Sequence, residues 1–338
     1  MTLHVGVLLG DPRLPYAYAT EGVFGEEELS AVEDLREALE PLEGFRFTYF
    51  DDHERLIDDL REQRPELVLN LCDTGFRNVW EHERNIPALL EMLDIPYTGA
   101  DPMGITLSND KALVAAAARL RGVSVPNMQF VDLTADPLVL PLRYPALLKP
   151  NVSAGSFGIT EKSVVHDDAE AEAYLRWLAP QLEVPEALIQ DYLDGAEYTV
   201  GLIGNPGASW SVLPPLEIDF GKLDPSLPPI LTHGSKADPE SPYWTKLEFV
   251  RAEIDEITQA EMVDACVKLF GRLGLRDYAR FDFRAGADGH PRLLDANVNP
   301  TWTRHGKMSL MASWAGHDYG EMMRLILEAA IERCGLRS

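Results

Sequence analysis

Tyr278-Ala279-Arg280-Phe281-Asp282-Phe283 leads through Asp288-Gly289 to Arg292-Leu293-Leu294-Asp295-Ala296-Asn297. Two strand-like runs on either side of an Asp-Gly dipeptide, the preferred pair of a two-residue turn, predict a β-hairpin. With the turn centred on Asp288-Gly289, paired residues have numbers summing to 577, so Asp282 stands opposite Asp295 and Arg280 opposite Asn297. Side chains alternate along a strand, and all four therefore share one face. Two carboxylates opposed across a ladder repel by roughly 0.2–1 kcal/mol, and by more when buried, unless positive charge lies between them. A divalent cation answers that need. Two carboxylates and an amide are hard oxygen donors that suit magnesium, which fills its remaining positions with water and nucleotide phosphates. The plainer alternative is an ordinary hairpin with Asp295 and Asn297 solvated on its outer face.

Upstream of the hairpin stand two lysines, Lys149 before a run of small residues that is either an anion-binding loop or a plain hairpin turn, and Lys111 at the start of a helix. Lys149 closes the apolar run Pro145-Ala146-Leu147-Leu148, and the small residues Asn151 to Gly158 follow it. Such a segment brings backbone N–H groups close to anionic oxygens. It is no Walker loop, because Gly-Lys-Ser/Thr is missing and the next run, Gly158 to Val165, reads as strand. Lys111 opens an Ala- and Leu-rich helix, Asp110 to Leu120, that stops at Gly122. Gln190-Asp191-Tyr192-Leu193 ends another strand, with Glu197 four residues on.

The first hundred residues have a different texture. Leu3 to Leu9 reads as a buried strand, Glu26 to Leu39 as a helix, Pro65 to Cys72 as a second strand and Ile86 to Leu93 as a helix. This alternation predicts a parallel α/β lobe. Beyond Val123 strand-like runs dominate: Ala146 to Lys149, Ala187 to Leu193, Tyr198 to Ile203 and Ser211 to Ile218. The Pro-rich stretch Asp224 to Pro242 is a long loop of the kind that serves as a lid. Helices Ile257 to Leu273 and Tyr319 to Arg333 bracket the hairpin.

At 338 residues the chain is too long for a single core, and with 46% hydrophobic and 25% charged residues it is too apolar to be disordered. A net charge of −25 argues against nucleic-acid or anionic-membrane partners, which require a basic stripe. Only eight lysines occur, none before Lys111, so each merits attention. Three scattered cysteines without ligand spacing, no run of membrane-spanning length and no signal-like leader predict a reduced, cytoplasmic protein.

Taken in order, Lys111, Lys149, the small-residue loop, Gln190, Asp282 and Asp295-x-Asn297 resemble the ATP-grasp superfamily and, within it, the D-alanine–D-alanine ligase-like family. The resemblance is closest in IPYTGADPMGITLSNDKALV, ALLKPNVSAGSFGIT, ALIQDYLDGAEYTVGLIG and DYARFDF…LLDANVNP. It implies a three-lobed fold: an N-terminal α/β lobe over residues 1–109, a small central lobe over 110–194, and a C-terminal lobe over 195–338. The last two would grip ATP between antiparallel sheets. It also implies that Lys111 and Lys149 contact phosphates under a lid containing Ser153, Ser156, Phe157 and Gly158. Gln190 and Leu193 would frame the adenine and Glu197 would hold the ribose. Asp282, Asp295 and Asn297 would bind magnesium, or manganese in its place, with Asp295 standing where the family has Glu. The implied reaction is ADP-forming ligation of a carboxylate to an amine through an acylphosphate, with Arg280 stabilising the oxyanion. Small-molecule acid and amine substrates, and a homodimer through the first lobe, follow from the same resemblance.

Departures fall where substrate would bind. The opening loop runs Gly10-Asp11-Pro12-Arg13 in place of the family's Gly-Gly-x-Ser-x-Glu, and Val79-Trp80-Glu81-His82-Glu83-Arg84 replaces its Gly-Glu-Asp-Gly. After Asn299-Pro300, Thr301 offers a backbone N–H, and Trp302, Arg304, His305 and Lys307 point to a bulkier pocket with a cation for a carboxylate. Thr301, Arg304 and Lys236 are the substrate candidates. The expected substrate is an amino acid or small acid–amine pair other than two D-alanines. A small-molecule kinase on the same fold and a non-catalytic ATP-binding module are the alternatives.

Overall fold

The computed structural model describes residues 2–17, 22–153, 155–208 and 210–336. Its first lobe holds β1 (Leu3–Leu8), α1 (Glu26–Leu39), β2 (Phe45–Phe50), α2 (Leu56–Gln63), β3 (Leu67–Asn70), α3 (Asn85–Met92) and α4 (Pro102–Asn109), and α5 (Lys111–Leu120), which follows, packs in the core of the third lobe. β1 is buried along its whole length because it is the centre of a parallel sheet ordered β2-β1-β3. β2, an edge strand of this sheet, is not announced by the sequence pattern. Its Phe45, Phe47 and Tyr49 pack on the core, while the intervening Arg46 and Thr48 obscure the apolar run.

The central lobe comprises β4 (Met128–Asp132), β5 (Ala146–Pro150), β6 (Val164–Val165), α6 (Asp168–Leu178) and β7 (Glu186–Asp191), in an antiparallel sheet ordered β4-β7-β5-β6. α6 supplies Ala171, Tyr174, Leu175 and Leu178 to a core of its own. The strand expected over Gly158 to Val165 is mostly not a strand. Gly158 turns with φ +74°, Thr160 caps one turn of 3-10 helix at Glu161–Ser163, and only Val164–Val165 pairs. A side chain hydroxyl that caps a turn competes directly with ladder formation.

The third lobe comprises β8 (Glu197–Ile203), β9 (Ser211–Val212), β10 (Leu216–Asp219), α7 (Gly234–Ala237), α8 (Pro242–Thr245), β11 (Glu248–Arg251), α9 (Glu256–Arg272), β12 (Tyr278–Ala285), β13 (Pro291–Asn297), α10 (Lys307–Trp314) and α11 (Tyr319–Cys334). The sheet is antiparallel, ordered β11-β10-β8-β12-β13, with β9 on β8. α10 and α11 pack with β1 and α1 in one hydrophobic core, so the first and third lobes are joined through buried side chains. Among the described residues no helix is long and apolar enough to cross a membrane.

β12 sorts its side chains by parity. Ala279, Phe281 and Phe283 enter the core beneath α9, and Arg280, Asp282 and Arg284 line a cleft on the other face. The hairpin register agrees with the 577 rule at Arg280–Asn297 and Asp282–Asp295, then shifts by one at Phe283–Leu293. The loop is Ala287-Asp288-Gly289, three residues long and not two. Gly289 N–H donates to the Gly286 carbonyl at 2.8 Å, with φ +73° at Gly289. Leu294 is the extra residue of a β-bulge, and the longer loop and the bulge cancel, restoring the expected pair at the site.

Candidate active site

The three lobes meet around a cleft of about 570 Å³. Half of the chain's lysines line it: Lys111, Lys149, Lys236 and Lys307. Lys111 is the first residue of α5, whose start is fixed twice. Asp110 accepts from Leu113 N–H at 2.9 Å, and Asn151 accepts from Ala112 N–H at 3.0 Å. Asn151 therefore ties the base of the small-residue loop to the helix carrying Lys111. The Lys111 ammonium donates to the Ser153 carbonyl at 3.2 Å and stands 3.8 Å from Asp295 Oδ2.

Lys149 is 5% exposed. Burial pushes its ammonium down to about 8, with Asp295 and Glu197 acting to retain the charge and Lys111 to expel it. A buried cation with this surrounding is short of negative partners.

Asp282 is the most heavily bonded group in the cleft. Thr199, its neighbour across the β8–β12 ladder, donates to Oδ1 at 2.8 Å, and Asn297 Nδ2 donates to Oδ2 at 2.9 Å. The Arg280 guanidinium forks onto both oxygens at 3.3 and 3.2 Å. Burial opposes the charge, yet Arg280 and Lys307 outweigh it and hold the carboxyl well below the usual carboxylate range. Asn297 spends its amide N–H on Asp282, which leaves its oxygen as the donor atom. Two carboxylates and that oxygen form a hard donor set on one face, and they fit magnesium. Among the described residues no cluster of three or more His, Cys, Asp or Glu side chains is set to hold a metal.

Glu197 is 5% exposed and ion-paired to Arg284 at 2.9 Å; the pair faces across the ladder, with the Tyr192 and Phe220 rings 5.8 and 5.5 Å from the guanidinium. Neither Arg284 nor Thr199 was singled out above, since each becomes a site residue only through pairing with a strand far away in sequence. Gln190 is buried beside Leu193 in the cleft wall.

Among the described residues seven buried side-chain polar atoms lack a partner, and five of them belong to residues lining this cleft: Ser108 Oγ, Ser153 Oγ, Gln190 Oε1, Arg284 Nε and Asn299 Oδ1. Orphaned polar atoms are costly, so their concentration here marks a surface built for a polar ligand.

Three expected residues lie off the cleft. Gly158 packs against Pro150 and Leu178, and Phe157 meets the His233 ring edge-on at 5.7 Å. Both support the loop from behind; Ala154 lies outside the described residues. Arg304 is the clearest correction, because its guanidinium is bound to Asp34 of α1 at 2.9 Å and faces the Tyr319 ring at 5.3 Å. The cation lining the cleft from that segment is Lys307. Thr301 and Lys236 do line it, and Lys236 Nζ donates to Ser156 Oγ at 2.9 Å. Together with the bond from His233 N–H to the Ile159 carbonyl at 2.9 Å, this clasps the 224–242 loop to the small-residue loop.

A family model described as D-ala D-ala ligase C-terminus matches residues 134–328. The chain is 30% identical over 286 residues to a D-alanine–D-alanine ligase of Bordetella petrii, covering 83% of this chain and 81% of that protein. It is 32% identical over 273 residues to an uncharacterised protein, y4sG, of Sinorhizobium fredii, covering 79% and 75%. Among solved structures, a D-alanine–D-alanine ligase from Bacillus anthracis complexed with ATP superimposes with TM-score 0.71 at 18% identity over 98% of both chains. The VanG D-Ala:D-Ser ligase from Enterococcus faecalis gives TM-score 0.70 at 18% identity, over 98% of this chain and 100% of that one. At such identities the structures establish the fold.

Proposed function

The chain belongs to the D-alanine–D-alanine ligase family of ATP-grasp, ADP-forming C–N ligases, and we propose that it joins a small carboxylic acid to an amine, the pair being other than two D-alanines. The observation that carries the reading is the single cleft in which Lys111, Lys149 and the opposed pair Asp282–Asp295 converge.

In this reading Lys111 and Lys149 hold phosphate oxygens, and Ser153 and Ser156 close over them. Gln190 Oε1, buried and unpartnered, accepts from the adenine amine, and the Leu193 backbone completes the adenine slot. Glu197 keeps one oxygen on Arg284 and offers the other to a ribose hydroxyl. Asp282, Asp295 and Asn297 would hold magnesium, which would neutralise charge on the phosphate oxygens. The substrate carboxylate oxygen attacks the γ-phosphorus in line and ADP leaves, giving an acylphosphate. Arg280 and the Thr301 N–H hold the carbonyl oxygen as the amine attacks; phosphate then departs and the amine nitrogen loses a proton. Lys307 and Lys236 present cationic charge for a second carboxylate. Neither nucleic acid nor a membrane has a part in this chemistry, and the protein works in the cytoplasm, as a homodimer through its first lobe.

The test is a phosphate-release screen of amino-acid pairs with ATP and magnesium, with products identified by mass. An amide product from a pair other than two D-alanines is expected. D-alanine as the best substrate on both sides would overturn the substrate reading.

A further inference from the structure

The nucleotide and metal ligands leave one part of the cleft unexplained, the part walled by the first lobe. Asp73, just beyond β3, Glu83 and the α4 residues Ser108 and Asn109 line it. Glu83 is 6% exposed and accepts from Asn299 Nδ2 at 2.6 Å. Glu83 is thus fastened to the segment that directly follows the Asp295-x-Asn297 motif. Burial pushes Asp73 up to about 6 and Glu83 up to about 7, and Asp73 adds to the rise at Glu83. Beside them Ser108, 3% exposed, has a hydroxyl without a partner. Two crowded acids and an idle acceptor lone pair are a complement to a cation. Asp11 of the opening loop is already engaged, by Arg13 Nε at 2.7 Å and His53 N–H at 2.9 Å.

The cleft is consequently bipolar, with Arg280, Lys236 and Lys307 on one wall and Asp73 and Glu83 on another. We propose that Asp73 and Glu83 form a specificity-determining subsite for an ammonium group of the carboxylic substrate. The proposal rests on the ligase reading. Asn299 lies two residues beyond Asn297, so their Cα atoms are at most about 7 Å apart. Glu83 is bonded to the Asn299 side chain, so the subsite adjoins the segment that carries Asn297. The α-ammonium of an amino acid and the terminal ammonium of a short ω-amino acid share this chemistry.

Hydroxylamine intercepts an acylphosphate as a hydroxamate, which reads the acid subsite without knowledge of the natural amine. Propionate, D-alanine, L-alanine, β-alanine and 4-aminobutyrate are compared with ATP and magnesium. At least one ammonium-bearing acid is expected to exceed propionate tenfold or more in kcat/KM, and the better of the α and ω members identifies the source of the ammonium. Glu83→Gln and Asp73→Asn should each raise KM for that acid tenfold or more and leave KM for ATP within twofold. Glu83→Asp, which keeps the charge, should recover most of the loss, an outcome that a merely structural role would not produce. Propionate performing as well as the amino acids, or variants that keep the preference, would overturn the subsite and leave the ligase reading standing. Hydroxamate from none of the acids would overturn both.

Discussion

Lys149 carries a titration that the cleft itself sets. Its amine lies among Asp295, Lys111 and Glu197, and burial lowers it to about 8 from 10.5. The cation is therefore present below about pH 8 and lost above it, whereas in the unfolded chain it persists to about 10.5. The native state is penalised for the charge below pH 8, and that penalty is relieved as pH rises from 8 towards 10.5. In protein carrying ¹³C at the lysine ε-carbons, the resonance missing from Lys149→Arg should titrate near 8; titration above 10 would contradict this. Arg304 makes the opposite case. Its guanidinium serves Asp34, so Arg304→Ala should leave substrate KM within twofold and cost about 1 kcal/mol of stability by denaturant titration. A tenfold rise in KM would return it to the site. Sequence order could not separate Arg304 from Lys307, three positions apart, because the choice depends on where α1 packs.

The elements that build the site were legible where local chemistry alone decides them. α1, α5, α9 and α11 follow from apolar spacing and caps, and the register of Asp282 with Asp295 follows from an Asp-Gly turn. That register was right for an incomplete reason, since a three-residue loop and the bulge at Leu294 offset each other. Nothing in Leu293-Leu294 announces a bulge. Glu83 stayed hidden because the residue that bonds it, Asn299, arrives from the other end of the chain, and Asp73 because it joins the site only through the fold. The small-residue loop gives a test at this scale. A side chain at Gly158 would meet Pro150 Cγ at 2.6 Å and Leu178 Cδ1 at 2.9 Å with φ at +74°, while one at Gly155, φ +55°, would meet nothing. Gly158→Ala should cost about 2–4 kcal/mol of stability and Gly155→Ala about 1, read by thermal or denaturant unfolding. Equal effects would mean that the loop is not anchored as described.

At the scale of the molecule, the first and third lobes share one hydrophobic core, while the central lobe has its own. The cleft lies between them, so the fold places Lys149 on one side and the Asp282–Asp295 hairpin, with Lys111 beside it, on the other. The order of motifs along the chain made this arrangement legible, and the family match bears out the fold. The substrate end was less legible, since residues from all three lobes meet there and depart most from the family's pattern. In the proposed reaction ATP activates a carboxylate as an acylphosphate. The most direct measurement uses the acid substrate with ¹⁸O in its carboxylate and follows released phosphate by ³¹P NMR. One ¹⁸O atom per phosphate is predicted, with turnover reduced at least about a hundredfold in Asp295→Ala. Phosphate free of ¹⁸O, or phosphate retained on the product, would contradict it.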